Sequence, residues 1–199
     1  MSTFETTSER RHHGIRSNRV SAVLSAARAL GQQRLQVGLI GAVSPTPMAF
    51  IDEILADDAI AATATKKLPC TFLDLGCGDG RWLFGFARHF PLSLCYGVDL
   101  DEQQLKKCQL LASDRGGGSI VELLKCDFKH FPCYGFRIIV LYMSRLGNEL
   151  LQGKLEKECD SGTLLIVVGF EMKGWCALKT FRCSTSHLVA YLYVVGGRS

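Results

Sequence analysis

One stretch constrains the chain more than any other: Phe72-Leu73-Asp74-Leu75-Gly76-Cys77-Gly78-Asp79-Gly80-Arg81-Trp82. A short apolar run meets a turn with glycine at every second position, and a helical pattern follows over 81–89. An apolar run of strand length leading into helix periodicity opens a parallel α/β unit. Glycines at such a turn let the backbone come close to a ligand, and the helix start offers amide hydrogens without intrahelical partners.

The pattern continues downstream. Strands are expected over 71–75, 92–100, 120–126, 136–143 and 163–170, and helices over 101–113 and 146–159, with Gly116-Gly117-Gly118 turning into the third strand. The near-continuous apolar run of the fourth strand marks burial on both faces. Two late strands, 176–183 and 187–195, have no helix between them and read as an antiparallel hairpin. The sum is an α/β fold: a doubly wound, mostly parallel sheet of seven strands closed by that hairpin. Upstream, residues 1–20 read as a basic tail and 21–67 as a helical extension, ahead of a core over 68–199. Within the extension a helix is expected over 21–39. Ser44-Pro45-Thr46-Pro47 then forces an extended passage, and a second helix over 48–62 carries Asp52 and Glu53 in its first turn.

Composition narrows the class. With 47% hydrophobic and 21% charged residues the chain is an ordinary globular one, and no apolar run is long enough for a membrane-spanning helix. The net charge of +4 gathers at the front, where Arg10, Arg11, Arg16, Arg19, Arg28 and Arg34 face only Glu5 and Glu9. That front could touch nucleic acid or an acidic protein surface. It is expected to be a solvated tail of a cytoplasmic protein; a mitochondrial targeting segment is the alternative, against which Glu5 and Glu9 count. Nine cysteines without a C-x-x-C pair or a secretory leader point to a reducing compartment, and no histidine pairs with them at zinc-ligand spacing, so no metal site is expected. Cys133, after Pro132, reads as a structural thiol.

Three carboxylates end three successive strands. Asp74 precedes the first glycine of the turn by two, Asp99 ends the second strand, and Asp127 follows the third. The G-x-G-x-G spacing is not the G-x-G-x-x-G of dinucleotide sites, and a carboxylate at that strand end repels a pyrophosphate. It suits a ligand with an amino group and a positive sulfonium, and S-adenosylmethionine is such a ligand. Asp99 then accepts from ribose hydroxyls and Asp127 from the adenine amino group, with Leu100 or Phe128 flanking the ring. Each acid also has a plainer reading: Asp74 as a turn cap, Asp99 with Asp101 as the helix N-cap, Asp127 as a turn residue.

At these residues the chain resembles the class I, Rossmann-like S-adenosylmethionine-dependent methyltransferases. The resemblance implies that Asp74, Gly76, Gly78 and Gly80 hold the methionine part, Asp99 the ribose and Asp127 the adenine, with Cys77, Leu100 and Phe128 also among the cofactor-binding residues. Pro45-Thr46-Pro47, Gly78-Asp79-Gly80-Arg81 and Lys154-Leu155-Glu156-Lys157-Glu158 are similar to a narrower group, the small protein-lysine methyltransferases acting on the ATP synthase c subunit and the adenine nucleotide translocase. By that likeness the Pro-Thr-Pro segment folds over the cofactor, Thr46 contacts it, and the acceptor is a protein lysine. The chain departs from the group in having Asp99 where a glutamate is usual, and in the loop Tyr142-Met143-Ser144-Arg145, which lacks a Gly-x-Pro run.

That loop faces the methyl group in such folds. Tyr142 either lines a lysine pocket through its ring face or packs under the sheet edge. Desolvation alone can keep an acceptor lysine neutral. RNA or small-molecule acceptors, and a non-catalytic methyltransferase-like subunit, remain alternatives.

Overall fold

The structure is a computed structural model that describes residues 45–113 and 119–196. The basic front, the expected helix over 21–39 and the Gly116–Gly118 turn lie outside the described residues. Among those residues the elements run α1 (Met48–Leu55), α2 (Asp58–Thr65), β1 (Thr71–Leu75), α3 (Arg81–His89), β2 (Leu94–Asp99), α4 (Glu102–Ser113), β3 (Ile120–Lys125), β4 (Ile138–Tyr142), α5 (Arg145–Glu158), β5 (Leu164–Val168), β6 (Lys179–Arg182) and β7 (Val189–Val194).

All seven strands form one sheet in the order β3-β2-β1-β4-β5-β7-β6. From β1 to β5 the pairs are parallel, while β7 runs antiparallel to both β5 and β6. The chain walks outward from β1 to β3, then returns to lay β4 on the other side of β1. Loops leaving β1 and β4 therefore diverge, opening a crevice at the carboxyl ends of those two strands.

Alternate residues of the strands feed two cores, as a period of two requires. Phe72, Ile138, Val140, Ile166 and Val168 join the side chains of α1, α2 and α3; Leu73, Leu75, Ile139, Leu141, Leu165 and Val167 join Leu151 and Leu155 of α5. Phe72 stacks on Phe86 of α3 with ring centroids 4.1 Å apart. No helix among the described residues is long and apolar enough to cross a membrane.

Two sequence expectations are corrected here. The single helix over 48–62 is two helices, because Asp57 turns its carboxylate onto the amide of Ala59, 3.0 Å away, and caps a new start. Asp52 and Glu53 do not lie in a first turn either, because the helix starts at Met48 and they are its fifth and sixth residues. Asp52 instead meets Arg88 and His89 in the last turn of α3, with His89 Nε2 3.1 Å from its Oδ1. The strands are also shorter than their apolar runs. Leu92, expected inside β2, is exposed at φ 71°, and the residues from Cys176 to Leu178 precede β6.

Asp57 also receives the ammonium of Lys179, 2.6 Å from its Oδ2, which ties the α1–α2 junction to the sheet edge at β6. Burial pushes the Asp57 carboxyl up, but Lys179 and the amides of Ala59 and Ile60 outweigh it and hold it below the usual range. Asp57→Ala is expected to cost about 1–2 kcal/mol in denaturant unfolding at pH 7, the loss of a helix cap. Asp57→Asn, which keeps an accepting oxygen, is expected to cost less. Because the folded carboxyl titrates below the unfolded one, the alanine penalty shrinks as pH falls below about 4.

Candidate functional site

The glycine turn is fastened to the neighbouring strand by its own amides. Gly76 and Cys77 donate to the Val98 carbonyl at 2.8 and 3.0 Å, Gly78 donates to Asp99 Oδ2 at 2.8 Å, and Gly80 donates to the Cys77 carbonyl at 2.8 Å. Asp79 accepts from the amide of Arg81 at 3.3 Å, at the start of α3. The amides of Gly76, Cys77, Gly78, Gly80 and Arg81 are thus engaged within the protein. Gly80 closes it at φ +79°, where a Cβ would lie 2.2 Å from Cys108 Sγ and 2.8 Å from the Phe84 ring. Only glycine fits there.

Asp99 acts as a brace. Its Oδ2 holds Gly78 and its Oδ1 accepts from the amide of Asp101 at 2.8 Å, while Asp101 Oδ1 in turn receives the amides of Gln103 and Gln104 in the first turn of α4. The helix cap is therefore Asp101, and Asp99 is left half-buried at the strand tip. Asp127 is buried and takes the amide of Lys129 on Oδ1 at 2.9 Å, the turn role its plainer reading gives it; Oδ2 is not used in that bond.

The register arranges the three acids as a staircase. Asp74 pairs with Gly97, Asp99 lies two residues past Gly97 and pairs with Lys125, and Asp127 lies two residues past Lys125. Each step advances about 6–7 Å along the strands. Leu100 and Phe128 follow Asp99 and Asp127 directly, both half-buried.

Asp74 differs from the other two. It is 4% exposed, and its Oδ2 is buried with no hydrogen-bond partner. Burial, and then the charges of Asp99 and Asp79, push its carboxyl well above the usual range. It caps nothing through that oxygen, so the plainer reading of Asp74 does not account for it. Cys77 points its thiol into the core, where a Cβ on Gly97 would come within 2.9 Å of Sγ, so only its backbone belongs to the turn.

Across the crevice, Tyr142 lies two residues past Val140, the β4 partner of Asp74, and so projects from the same sheet face. Half-buried, it packs its ring over Gly169 at φ +92°, where a Cβ would sit 2.8 Å from Tyr142 Cε2. Burial raises its hydroxyl. Of the residues after it, Met143 is buried against Gly76, Ser144 caps α5 by accepting from the Gly147 amide at 3.1 Å, and Arg145 lies 5.6 Å over the Phe170 ring.

Sequence reasoning missed three residues here. Asn148, in the first turns of α5, is buried and donates to the Phe170 carbonyl at 2.7 Å. Its signal is a polar residue three positions before Leu151, on the helix face that buries Leu151 and Leu155. The other two secure Thr46, which is 2% exposed: Arg81 Nη1 donates to its carbonyl at 2.7 Å and Trp82 Nε1 to its Oγ1 at 3.3 Å. Nothing in a linear reading joins residue 46 to residues 81 and 82. Among the described residues no cluster of His, Cys, Asp or Glu could hold a metal, and the nine cysteines are free thiols.

Known proteins resemble this chain along the same stretch. Residues 74–179 match the family of the ANTKMT methyltransferase domain. A protein-lysine N-methyltransferase from Saccharolobus islandicus (strain REY15A) is 27% identical over 125 residues, spanning 62% of this chain and 78% of that protein. An RNA methyltransferase from Salinibacter ruber, crystallised with S-adenosyl-L-homocysteine, superposes with a TM-score of 0.68 at 23% identity, covering 78% of this chain and 96% of that one. Magnesium protoporphyrin IX methyltransferase from Synechocystis PCC 6803, with bound S-adenosylmethionine, gives 0.58 at 14% identity over 75% and 79%. These two solved structures share the Rossmann-like fold.

The raised Asp74 carboxyl has a consequence for stability. A native carboxyl that titrates above its unfolded value of about 3.9 stabilises the fold only at low pH and loses that contribution as pH rises through the raised value. Asp74→Asn is therefore expected to melt above wild type at pH 7–8 in ligand-free protein. Thermal scans from pH 8 down to pH 4 are expected to bring the two curves together.

Proposed function

The chain belongs to the family of the ANTKMT methyltransferase domain, and from that premise we propose that it carries the methyl group of S-adenosylmethionine to the side-chain amine of a protein lysine. It is an S-adenosylmethionine-dependent methyltransferase by family, and the lysine acceptor is supported by its likeness to the archaeal protein-lysine N-methyltransferase. One observation carries the cofactor reading: Asp74 Oδ2 is a buried carboxylate oxygen with no partner, at the crevice between β1 and β4. A buried carboxyl with an unsatisfied oxygen and its ionisation opposed calls for a cation, which favours the charged form. The ligand's ammonium and sulfonium meet that need, whereas a pyrophosphate would meet the carboxylates that end three successive strands.

Asp74 is assigned the ammonium, and the turn from Gly76 to Gly80, with the Cys77 backbone, supports the methionine part. Asp99 keeps lone pairs beyond its two amide bonds and is assigned the ribose hydroxyls, with Leu100 beside it. Asp127 Oδ2 is assigned the adenine amino group and Phe128 its ring face. Thr46, held by Arg81 and Trp82 beside the glycine turn, closes over the methionine end from the Pro-Thr-Pro strap. When bound, S-adenosylmethionine supplies a methyl carbon already activated by its positive sulfur.

What remains for the protein is to present a neutral amine in line with that carbon. Tyr142, raised on Gly169 and facing the same side as Asp74, is the residue assigned to line the acceptor channel, with Phe170 held next to it by Asn148. An ammonium entering between apolar and aromatic walls loses water and titrates downward, toward the reactive free base. Exclusion of water does this, and the ring face of Tyr142, not its hydroxyl, positions the entering side chain.

Labelled methyl transfer from S-adenosylmethionine into a cell extract tests the acceptor class. Label released by protease and untouched by nuclease, located on lysine by mass spectrometry, is the expected result; label lost to nuclease would replace lysine with a nucleic-acid acceptor. For the site, Asp99→Ala is expected to weaken cofactor binding by about 1.5–3 kcal/mol, the worth of hydrogen bonds to a charged group, as measured calorimetrically. Unchanged affinity would remove Asp99 from the site. Tyr142→Phe is expected to keep kcat within about threefold of wild type, whereas Tyr142→Ala, which loses the ring face, is expected to lower it at least about tenfold.

A further inference from the structure

Arg81 is the residue of the glycine turn that the cofactor reading leaves unused. Its guanidinium forks in two directions. Nε donates to Asp79 Oδ1 at 2.9 Å and Nη2 pairs with Asp79 Oδ2, while Nη1 donates to the carbonyl of Thr46 at 2.7 Å. Trp82, next in sequence, donates from Nε1 to Thr46 Oγ1 at 3.3 Å. The first two residues of α3 therefore grip one residue, 35 and 36 positions earlier in the chain.

The chemistry of the gripped segment explains why donors do the gripping. In Pro45-Thr46-Pro47 both prolines lack an N–H, so three residues offer a single backbone donor and cannot be held by a strand ladder. What fastens such a strap must donate to it. A guanidinium supplies directional donors in a rigid fork, and an indole supplies one more. The anchor is itself anchored: Asp79 fixes Arg81, and Asp79 and Gly80 end the turn that Asp99 braces through Gly78. Strap, turn and α3 thus form one mechanical unit, and Thr46 is buried within it.

We propose that Arg81 is a positioning residue that latches the Pro45–Pro47 strap onto the glycine turn, so that cofactor affinity depends on the strap being docked. This rests on the assignment of the crevice to S-adenosylmethionine. Arg81 acts through Thr46 and the turn rather than by touching the ligand. The latch preorganises the site, so its loss raises the dissociation constant and the KM for the cofactor while leaving the transfer step itself nearly as fast.

The test uses the full chain as wild type, Arg81→Met, Arg81→Lys and Trp82→Phe, with S-adenosyl-L-homocysteine as the titrant and hydrogen exchange read over residues 45–55. Arg81→Met is expected to bind about tenfold or more weakly, to exchange faster in that segment with no change in β4 and β5, and to raise KM for S-adenosylmethionine with kcat within about twofold. Lysine has a point charge and cannot serve Asp79 and Thr46 together, so Arg81→Lys is expected to restore only part of the affinity. Trp82→Phe keeps the ring volume, removes one tie, and is expected to shift both readouts in the same direction by a smaller factor. It carries the test should Arg81→Met not fold. A loosened strap with wild-type affinity overturns the latch, and so does weakened binding with the strap still protected, which would make Arg81 a direct ligand contact. A wild-type protein that binds no S-adenosyl-L-homocysteine overturns the cofactor assignment itself, and the latch with it.

Discussion

A carboxylate buried in the central strand of a parallel sheet, with one oxygen unpartnered, is the constraint around which the rest is arranged. Asp74 destabilises the ligand-free fold at neutral pH, since burial and two neighbouring carboxylates oppose its ionisation. The site tolerates it because everything nearby is fixed by other bonds. The amides of Gly76, Cys77, Gly78 and Gly80 are taken up by Val98, Asp99 and Cys77 and not by Asp74. The unmet charge is thereby preserved for a cationic ligand group, a trade of stability for binding that active sites commonly make.

The same fixing explains the division of labour among the acids. Asp99 is spent partly on holding Gly78 and Asp101, and Asp127 partly on the Lys129 amide. Both have oxygens with capacity left, and both are held at strand tips by the bonds they already make. Tyr142 is set on the opposite lip by a different device, a glycine with no Cβ beneath its ring. Preorganised positions of this kind lower the cost of ordering on binding.

The segment ahead of the sheet is tied at both ends. Asp57 bonds Lys179 at the far edge of the sheet, Asp52 meets Arg88 and His89 in the last turn of α3, and Thr46 is gripped at the first turn of α3. Phe50, Ile51, Ile54 and Leu55 are buried in the same core cluster as α3, with Ile51 and Leu55 lying over Gly85.

Periodicity alone laid out the alternating strands and helices, the antiparallel close and the three strand-end carboxylates, because those features follow from side-chain spacing within one segment. It misread the helix break at Asp57, where a side chain outcompeted helix propensity, and it overran strand ends such as Leu92, where apolar character continues past the last ladder bond. It left open whether each acid was a cap or a ligand. Only tertiary structure decided that Asp74 keeps a buried oxygen without a hydrogen-bond partner, that Gly76, Cys77 and Gly78 are fastened to the neighbouring strand, and that Thr46 meets Arg81 and Trp82. The reason is physical. Spacing along a strand specifies which face a side chain takes, but what it meets there depends on register with a neighbouring strand and on segments distant in the chain, and no local pattern encodes those.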